Sequence, residues 1–425
     1  MRILLSAYAC EPDKGSEPWV GWNWAVQLAE RGHEVVVITR TNNCQSIERE
    51  MAARPRPSLR FSYYDLPSWL RSFKKGRRGI HLYYLLWQFG AYLAARHLVR
   101  EGRFDVVHHV TFVSVRQPSF MGWLGIPFVF GPVGGGEHTP PLLKTMFSRK
   151  NRITEALREL VNSCVRFDPL MWQTFASAQA IYVTSGQSLE LIPRRFRGKT
   201  RVHLAIGISE TDIPASTLPD LPDKERVKKI LFCGKLIHWK GPELAVRAFA
   251  RVASRLPGAT LTFVGGGAEQ QRLQRLARDF GVSDRIEWRA GVTRSDMLSL
   301  YGDFGLFLYP SLHDSGGMVV LEALACGLPV VCLQLGGPGL IVDKSCGIAV
   351  DVQSKNVEQV VSDLESALFR LAVSGESRKA LAQGAVSRSR RFSWEQLVSD
   401  VCSQPPYSSR ETTSGRASDR SKLVI

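Results

Sequence analysis

Apolar runs of four to seven residues alternate along this chain with stretches of helical spacing, and turn residues separate the two. Arg2–Ala9 reads as a buried opening strand. The loop EPDKGSEPW follows, and then a helix over 20–31 whose Trp24, Ala25 and Leu28 share one face. Gly32-His33 ends that helix, and EVVVIT over 34–39 is a second strand. Strand, loop, helix, strand is a βαβ unit and requires a parallel sheet. Residues 52–80, rich in Pro and Arg, predict loop. Residues 80–99 predict an apolar helix with Tyr83, Tyr84, Trp87, Phe89 and Tyr92. Strands are expected over 105–109 (DVVHH), 127–133 (PFVFGPV), 181–184 (IYVT) and 201–204.

The same rhythm restarts at KILFC over 229–233. A helix over 242–254, a strand over 260–264, a helix over 268–280, a strand at 286–288, a helix over 295–301 and a strand at 306–308 follow. A loop, the helix that begins at Val319 and the strand VVCL complete the series. The chain therefore predicts two α/β domains with parallel sheets. The first covers 1–212. A linker over 213–226 carries the Pro-rich IPASTLPDLPD. The second domain covers 227–393, a helix over 394–402 follows it, and the polar tail 403–425 predicts disorder.

At 425 residues the length suits two domains, and 44% hydrophobic with 22% charged residues suits a globular chain. Eight scattered cysteines with no CxxC pair point to a reducing compartment without a disulfide framework or structural zinc. The net charge of +16 is uneven. Residues 1–205 hold 28 Lys and Arg against 15 Asp and Glu, and the remainder holds 27 against 24. A basic first half suits an anionic partner, such as lipid headgroups or a lipid pyrophosphate. Its cations are spread over strands, helices and loops, so a nucleic-acid module is disfavoured. FKKGRR at 73–78 beside the aromatic helix 80–99 suits interfacial membrane contact. His81, Gln88, Arg96 and His97 deny that helix the apolar span of about 20 residues a bilayer crossing needs. The opening apolar run is likewise too short for a signal peptide. The expected location is cytoplasmic, peripheral on the inner face of the membrane.

The chemistry concentrates in PSLHDSGGMVVLEALACGLP over 310–329. A glycine-rich loop feeding a helix offers N–H groups and a positive dipole end to phosphate. Asp314 precedes that helix, and Glu322 lies inside it, where burial needs a hydrogen-bond donor such as a sugar or ribose hydroxyl. Gly234-Lys235 and Lys240-Gly241 follow the first strand of the second domain, and two lysines five apart can reach one pyrophosphate. This pattern resembles the retaining glycosyltransferases of family 4, of GT-B fold. Ser311, Gly317, Glu322, Ala323, Gly327, Pro329 and Val330 match in register. Asp314 stands where the family usually has Glu, and Ser315-Gly316 replaces Gly-Phe. Of the family's Asp-x-x-His-x-His strand, His108 matches the first histidine, and Val110 occupies the second position. His108 and His109 face opposite ways in a strand, and His109, nearer its carboxyl end, is expected to face the cleft.

The resemblance implies two Rossmann-like domains facing across a cleft and transfer of a sugar from a nucleotide-diphosphate sugar with retention. Glu322 would hold the ribose, and Asp314 the sugar. Lys235 and Lys240, with N–H groups around Gly317, Met318 and Val319, would hold the diphosphate, with Gly15, Gly234 and Gly266 allowing close approach. His109, Asp314 and Lys240 form the expected catalytic set. His108, Gly135 and Glu137 stand on the acceptor or sugar side. No DxD pair stands at a strand end, so neither metal nor cofactor is expected. The acceptor is expected to be a glycan or lipid-linked, in bacterial cell-surface or exopolysaccharide assembly. A sugar-nucleotide epimerase of the same fold and a degenerate transferase that binds anionic partners stay open.

Overall fold

The computed structural model describes residues 1–12, 14–71, 79–112, 114–209, 226–373 and 375–408. The expected linker from 213 to 225, the basic run 73–78 and the tail beyond 408 lie outside the described residues.

Two parallel sheets carry the fold. The first holds β1 (Arg2–Ala7), β2 (Glu34–Arg40), β3 (Leu59–Tyr64), β4 (Val106–Thr111), β5 (Phe128–Val133), β6 (Ala180–Val183) and β7 (Thr200–Val202) in the order β3-β2-β1-β4-β5-β6-β7. The second holds β8 (Lys229–Cys233), β9 (Thr260–Val264), β10 (Ile286–Arg289), β11 (Leu306–Tyr309), β12 (Val330–Leu333) and β13 (Gly347–Val350) in the order β10-β9-β8-β11-β12-β13. The order reverses between β1 and β4 in one sheet and between β8 and β11 in the other. Ligands of open α/β sheets bind outside the carboxyl ends of strands at such switch points. Two Rossmann-like domains is therefore the observed architecture.

β1 sits in the middle of its sheet, paired with β2 and β4, and is buried from Ile3 onward. One face of this sheet packs against α1 (Glu17–Glu30), and the other against α2 (Ile80–Glu101). α2 sinks Tyr83, Tyr84, Trp87, Ala91 and Ala95 into the core and leaves Leu82, Phe89 and Leu93 exposed. Within residues 52–80 the expectation of loop is corrected at 59–64. There LRFSYY forms the edge strand β3, because Leu59, Phe61 and Tyr63 alternate with polar partners against β2.

Residues between the GGG turn and β6 fold as α3 (Arg149–Cys164) and α4 (Pro169–Ser177). The short turn Pro141–Met146 crosses to the second domain, and Leu143 and Phe147 enter that domain's core. α5 (Pro242–Arg255) and α6 (Met318–Ala325) follow β8 and β11. The last element, α7 (Trp394–Cys402), is capped by Ser393, whose hydroxyl accepts from the Gln396 N–H at 3.1 Å. Its Trp394, Val398 and Val401 pack into the first domain beside Trp24 and Val26 of α1.

Candidate functional site

The carboxyl ends of the two sheets face each other. A Cβ placed on Gly134, at the end of β5, would lie 2.8 Å from the Ser315 side chain of the opposite domain. Ile206 lies so close that a Cβ on Gly316 would come 2.3 Å from its Cδ1. This contact explains the departure at position 316. A phenylalanine there would collide with a side chain from the far wall of the cleft.

Asp314 organises the donor side. Its Oδ1 accepts from the N–H groups of Gly316 at 3.1 Å and Gly317 at 3.4 Å. Its Oδ2 accepts from Lys240 Nζ at 2.5 Å and from the Tyr309 hydroxyl at 2.8 Å. Burial alone would raise this carboxyl, but the Lys240 ammonium, Tyr309 and the Gly316 N–H together hold it below its ordinary value. Two carboxylate oxygens offer about four lone-pair positions, and four protein donors meet them. Asp314 thus fixes Lys240 and the turn before α6, and the expected sugar contact is not met by this geometry.

Glycine is required here in two places. Gly241 has φ +70°, and a Cβ on it would stand 1.9 Å from the Pro310 carbonyl oxygen, so the lysine turn can press against the Asp314 loop. Gly317, at φ +74°, starts α6 in the left-handed region. The first turn of α6, from Met318 and Val319, has N–H groups with no intrahelical partner by construction. Lys235 is exposed and forms no ion pair with a described residue. Glu322 projects from the buried face of α6, and the Tyr301 hydroxyl lies 3.4 Å from its Oε2.

Other expected positions stand differently. Gly234 has φ +145°, and Gly266 is the least constrained of its triplet, since a Cβ on it would meet only the Gln270 side chain, at 3.8 Å. Gly265 and Gly267 carry the close approach, since a Cβ on either would meet a backbone carbonyl oxygen at 2.3 Å. No protein atom lies within 4 Å of a Cβ on Gly15, so the protein itself imposes no glycine there.

The histidine expectation is corrected. β4 runs on to Thr111, so His109 lies inside the strand and not at its end, and both imidazoles are fully buried. His108 faces α1 and α7, with Nδ1 2.7 Å from the Tyr407 hydroxyl and Nε2 2.7 Å from the Gly131 carbonyl oxygen. His109 faces α2, with Nε2 3.3 Å from the Tyr84 hydroxyl. Burial lowers His108 to about 4 and His109 to about 3, so both are neutral near pH 7. Neither reaches the cleft.

Glu137 is also corrected. Its carboxylate is buried and accepts from Ser185 Oγ at 2.6 Å, Ser188 Oγ at 2.9 Å, Thr184 Oγ1 at 3.2 Å and the Gly135 N–H at 2.9 Å. It shapes the glycine turn from beneath and offers the acceptor nothing. Gly135, at φ +93°, turns its carbonyl to Arg158 and Asn162 of α3.

One cluster was missed in the pattern of the chain. Glu155 of α3 is buried between His238 of the lysine turn and His313 of the Asp314 loop, with Oε1 3.2 Å and 3.3 Å from their Nε2 atoms. Burial pushes the Glu155 carboxyl up, yet the two imidazoles and Arg158 outweigh it and hold it well below the usual range. The Trp239 ring stacks on His313 at 5.4 Å. A carboxylate of the first domain thereby ties together the two loops that carry Lys240 and Asp314. The His313 beside Asp314 was the one visible signal, and its partner, 158 residues away, was not visible.

Known proteins resemble both halves. Residues 19–205 match the family described as “Glycosyl transferase 4-like domain”, and residues 217–385 match “Glycosyl transferases group 1”. Over 410 residues the chain is 27% identical to the D-inositol 3-phosphate glycosyltransferase of Saccharomonospora viridis, covering 88% of this chain and 85% of that protein. The fold is similar to that of sucrose-phosphate synthase from Thermosynechococcus elongatus, with a TM-score of 0.60 at 20% identity, covering 95% of this chain and 97% of the other. It is also similar to HepE from Anabaena in complex with UDP and glucose, with a TM-score of 0.55 at 17% identity, covering 95% and 98%.

Proposed function

Since this chain belongs to the glycosyltransferases, with a family 4-like N-terminal half and a group 1 C-terminal half, we propose that it moves a sugar, with retention and without a metal ion, from a nucleotide-diphosphate sugar to a glycan or lipid-linked acceptor of bacterial surface or exopolysaccharide assembly. The observation that carries the donor side is the convergence of Lys240, Asp314, the first turn of α6 and Glu322 at one switch point.

In this reading the diphosphate lies over the α6 N-terminus. Negative charge grows on it as the glycosidic bond breaks, and fixed cations aimed at growing charge supply the largest catalytic contribution of such a site. Lys240, held in place by Asp314, faces that charge, and the exposed Lys235 closes on it from the other side. Glu322 accepts from the ribose hydroxyls. In this reading no side chain serves as a covalent nucleophile, and the leaving phosphate oxygen takes the acceptor's proton on the face from which the acceptor attacks.

A second acceptor class, a phosphorylated polyol, is favoured by the likeness to the inositol 3-phosphate enzyme and by the basic first domain. The test is a thermal-shift screen of UDP-, GDP- and ADP-sugars with EDTA present, on wild type and Glu322→Ala. A ligand at about a hundred times its Kd adds about 2.7 kcal/mol. One sugar nucleotide that stabilises wild type and not the variant is the expected result. No shift in either protein would sink the donor site. A shift seen only when EDTA is replaced by a divalent cation would sink metal independence.

A further inference from the structure

α3 is a strut between the two walls of the cleft. Its Arg158 and Asn162 hold the glycine turn of the first domain. The Arg158 guanidinium donates to the carbonyl oxygens of Glu137 at 2.6 Å and Gly135 at 3.1 Å, and the Asn162 amide donates to that of Gly135 at 3.1 Å. Nearer its N-terminus the same helix meets the second domain. The Asn151 amide donates to Glu269 Oε1, just past the glycine triplet, at 3.2 Å, and Glu155 Oε1 accepts from His238 and His313. An ionised carboxylate only accepts, so both imidazoles carry a proton on Nε2.

Glu155 is 1% exposed, and Arg158, the cation of its own domain beside it, stands 3.8 Å away with its fork given to the two carbonyl oxygens. Among the described residues, the hydrogen bonds that satisfy this buried acid therefore come from the opposite domain and exist only while the two domains abut. Their placement matters. His238 lies two residues before Lys240, and His313 lies one before Asp314, whose side chains pair at 2.5 Å. Within the second domain these loops touch through Trp239. Its carbonyl oxygen accepts from the Leu312 N–H at 2.8 Å and the Ser311 hydroxyl at 3.3 Å, and its ring stacks on His313. Glu155 grips both loops from outside that junction, and Phe147, also of the first domain, packs edge-on against His238 with ring centroids 4.7 Å apart.

We propose that Glu155 is a positioning residue that sets Lys240 for the leaving diphosphate only when the first domain is docked against the donor loops. It touches no reacting atom and acts through His238 and His313. Through Arg158, which stands between Glu155 and the glycine turn, the acceptor wall and the donor loops are held in one register. The donor's leaving group is then stabilised in the arrangement in which an acceptor is also at hand. The catalytic consequence rests on the transferase reading above, whereas the ordering of Lys240 does not.

The experiment joins two readouts on the full chain: trace labelling of lysines with acetic anhydride, read by mass spectrometry, and steady-state turnover of a sugar nucleotide. In Glu155→Ala, Lys240 should label several-fold faster than in wild type, with the exposed Lys235 unchanged. The same variant should lose between about tenfold and a hundredfold in kcat, the scale of a misplaced catalytic group, with KM for the donor little changed, because Lys240 acts on charge that grows in the transition state. Glu155→Gln, which keeps one acceptor oxygen, should recover part of both. His238→Phe keeps the ring against Phe147 and loses the bond, so it reads the contact from the other domain should Glu155→Ala fail to fold. Glu155→Ala/Lys240→Met should be no slower than Lys240→Met alone, since a residue acting through Lys240 then has nothing left to position. Glu159→Gln, which breaks the 2.6 Å pair with Lys144 on the same helix, should behave as wild type. Wild-type labelling of Lys240 in both Glu155→Ala and His238→Phe, losses that multiply in the double variant, or a Glu159→Gln that matches Glu155→Ala would each overturn the proposal. Faster labelling of Lys240 in a protein that turns over no sugar nucleotide would support the positioning role and sink the transferase reading.

Discussion

Among single residues, Lys240 and Asp314 carry the clearest consequence, because each holds the other in place at 2.5 Å. Lys240→Met should lower kcat/KM for donor turnover by about two orders of magnitude, the scale of losing one charge stabiliser in a transition state. Lys240→Arg should recover part of it, as steady-state kinetics would show. Asp314 titrates low in the folded chain, so its contribution to stability is complete above the ordinary value of 3.8 and disappears as pH falls through the lower folded value. In Asp314→Asn that acid limb should be flatter in urea melts. His108 acts at higher pH. The unfolded chain takes up a proton near 6.5, whereas the folded one refuses it until about 4. Stability is therefore complete above 6.5 and falls between 6.5 and about 4, by an amount on the order of 3 kcal/mol. His108→Leu should remove that slope from denaturation midpoints measured across the interval.

At the level of elements, the two domains are fitted to each other through backbone space as well as through the Glu155 cluster. Gly316 is small because Ile206 stands over it. Gly316→Ala should weaken donor binding and lower the melting temperature, by about 1–3 kcal/mol for an overpacked contact. Gly316→Ala with Ile206→Ala should recover most of the loss. A double-mutant cycle reads that coupling directly, and additive losses would rule the contact out. β4 was legible as a strand, but its last residues were not. Continuation to Thr111 moved both histidines into the sheet, where alternation sends one to α1 and the other to α2. β3 was hidden for a related reason. Its alternation is half aromatic and half polar, as an edge strand permits, and surrounding prolines and arginines masked it.

For the molecule as a whole, the last described residues close the first domain. Tyr407 donates to or accepts from the buried His108 at 2.7 Å, across 299 residues of chain. Tyr407→Phe should cost about 1–3 kcal/mol, because it leaves one buried imidazole nitrogen unpaired. Trp394→Ala should cost about 3–5 kcal/mol by opening a cavity under α7. Both are measured by equilibrium unfolding. Among the described residues no helix is long and apolar enough to cross a membrane. The sequence by itself determined the two α/β halves, the position of the donor loop and the lysine pair in the turn after β8. Those are local matters: periodicity, glycine turns and residues a few positions apart. Only the tertiary structure decided which carboxylates are spent inside the protein. Glu137 meets three hydroxyls, Asp314 meets four donors, and Glu155 meets two histidines from the other domain. A buried carboxylate is satisfied by whatever donors folding brings within hydrogen-bonding reach, and many of those donors come from distant segments that no local pattern specifies.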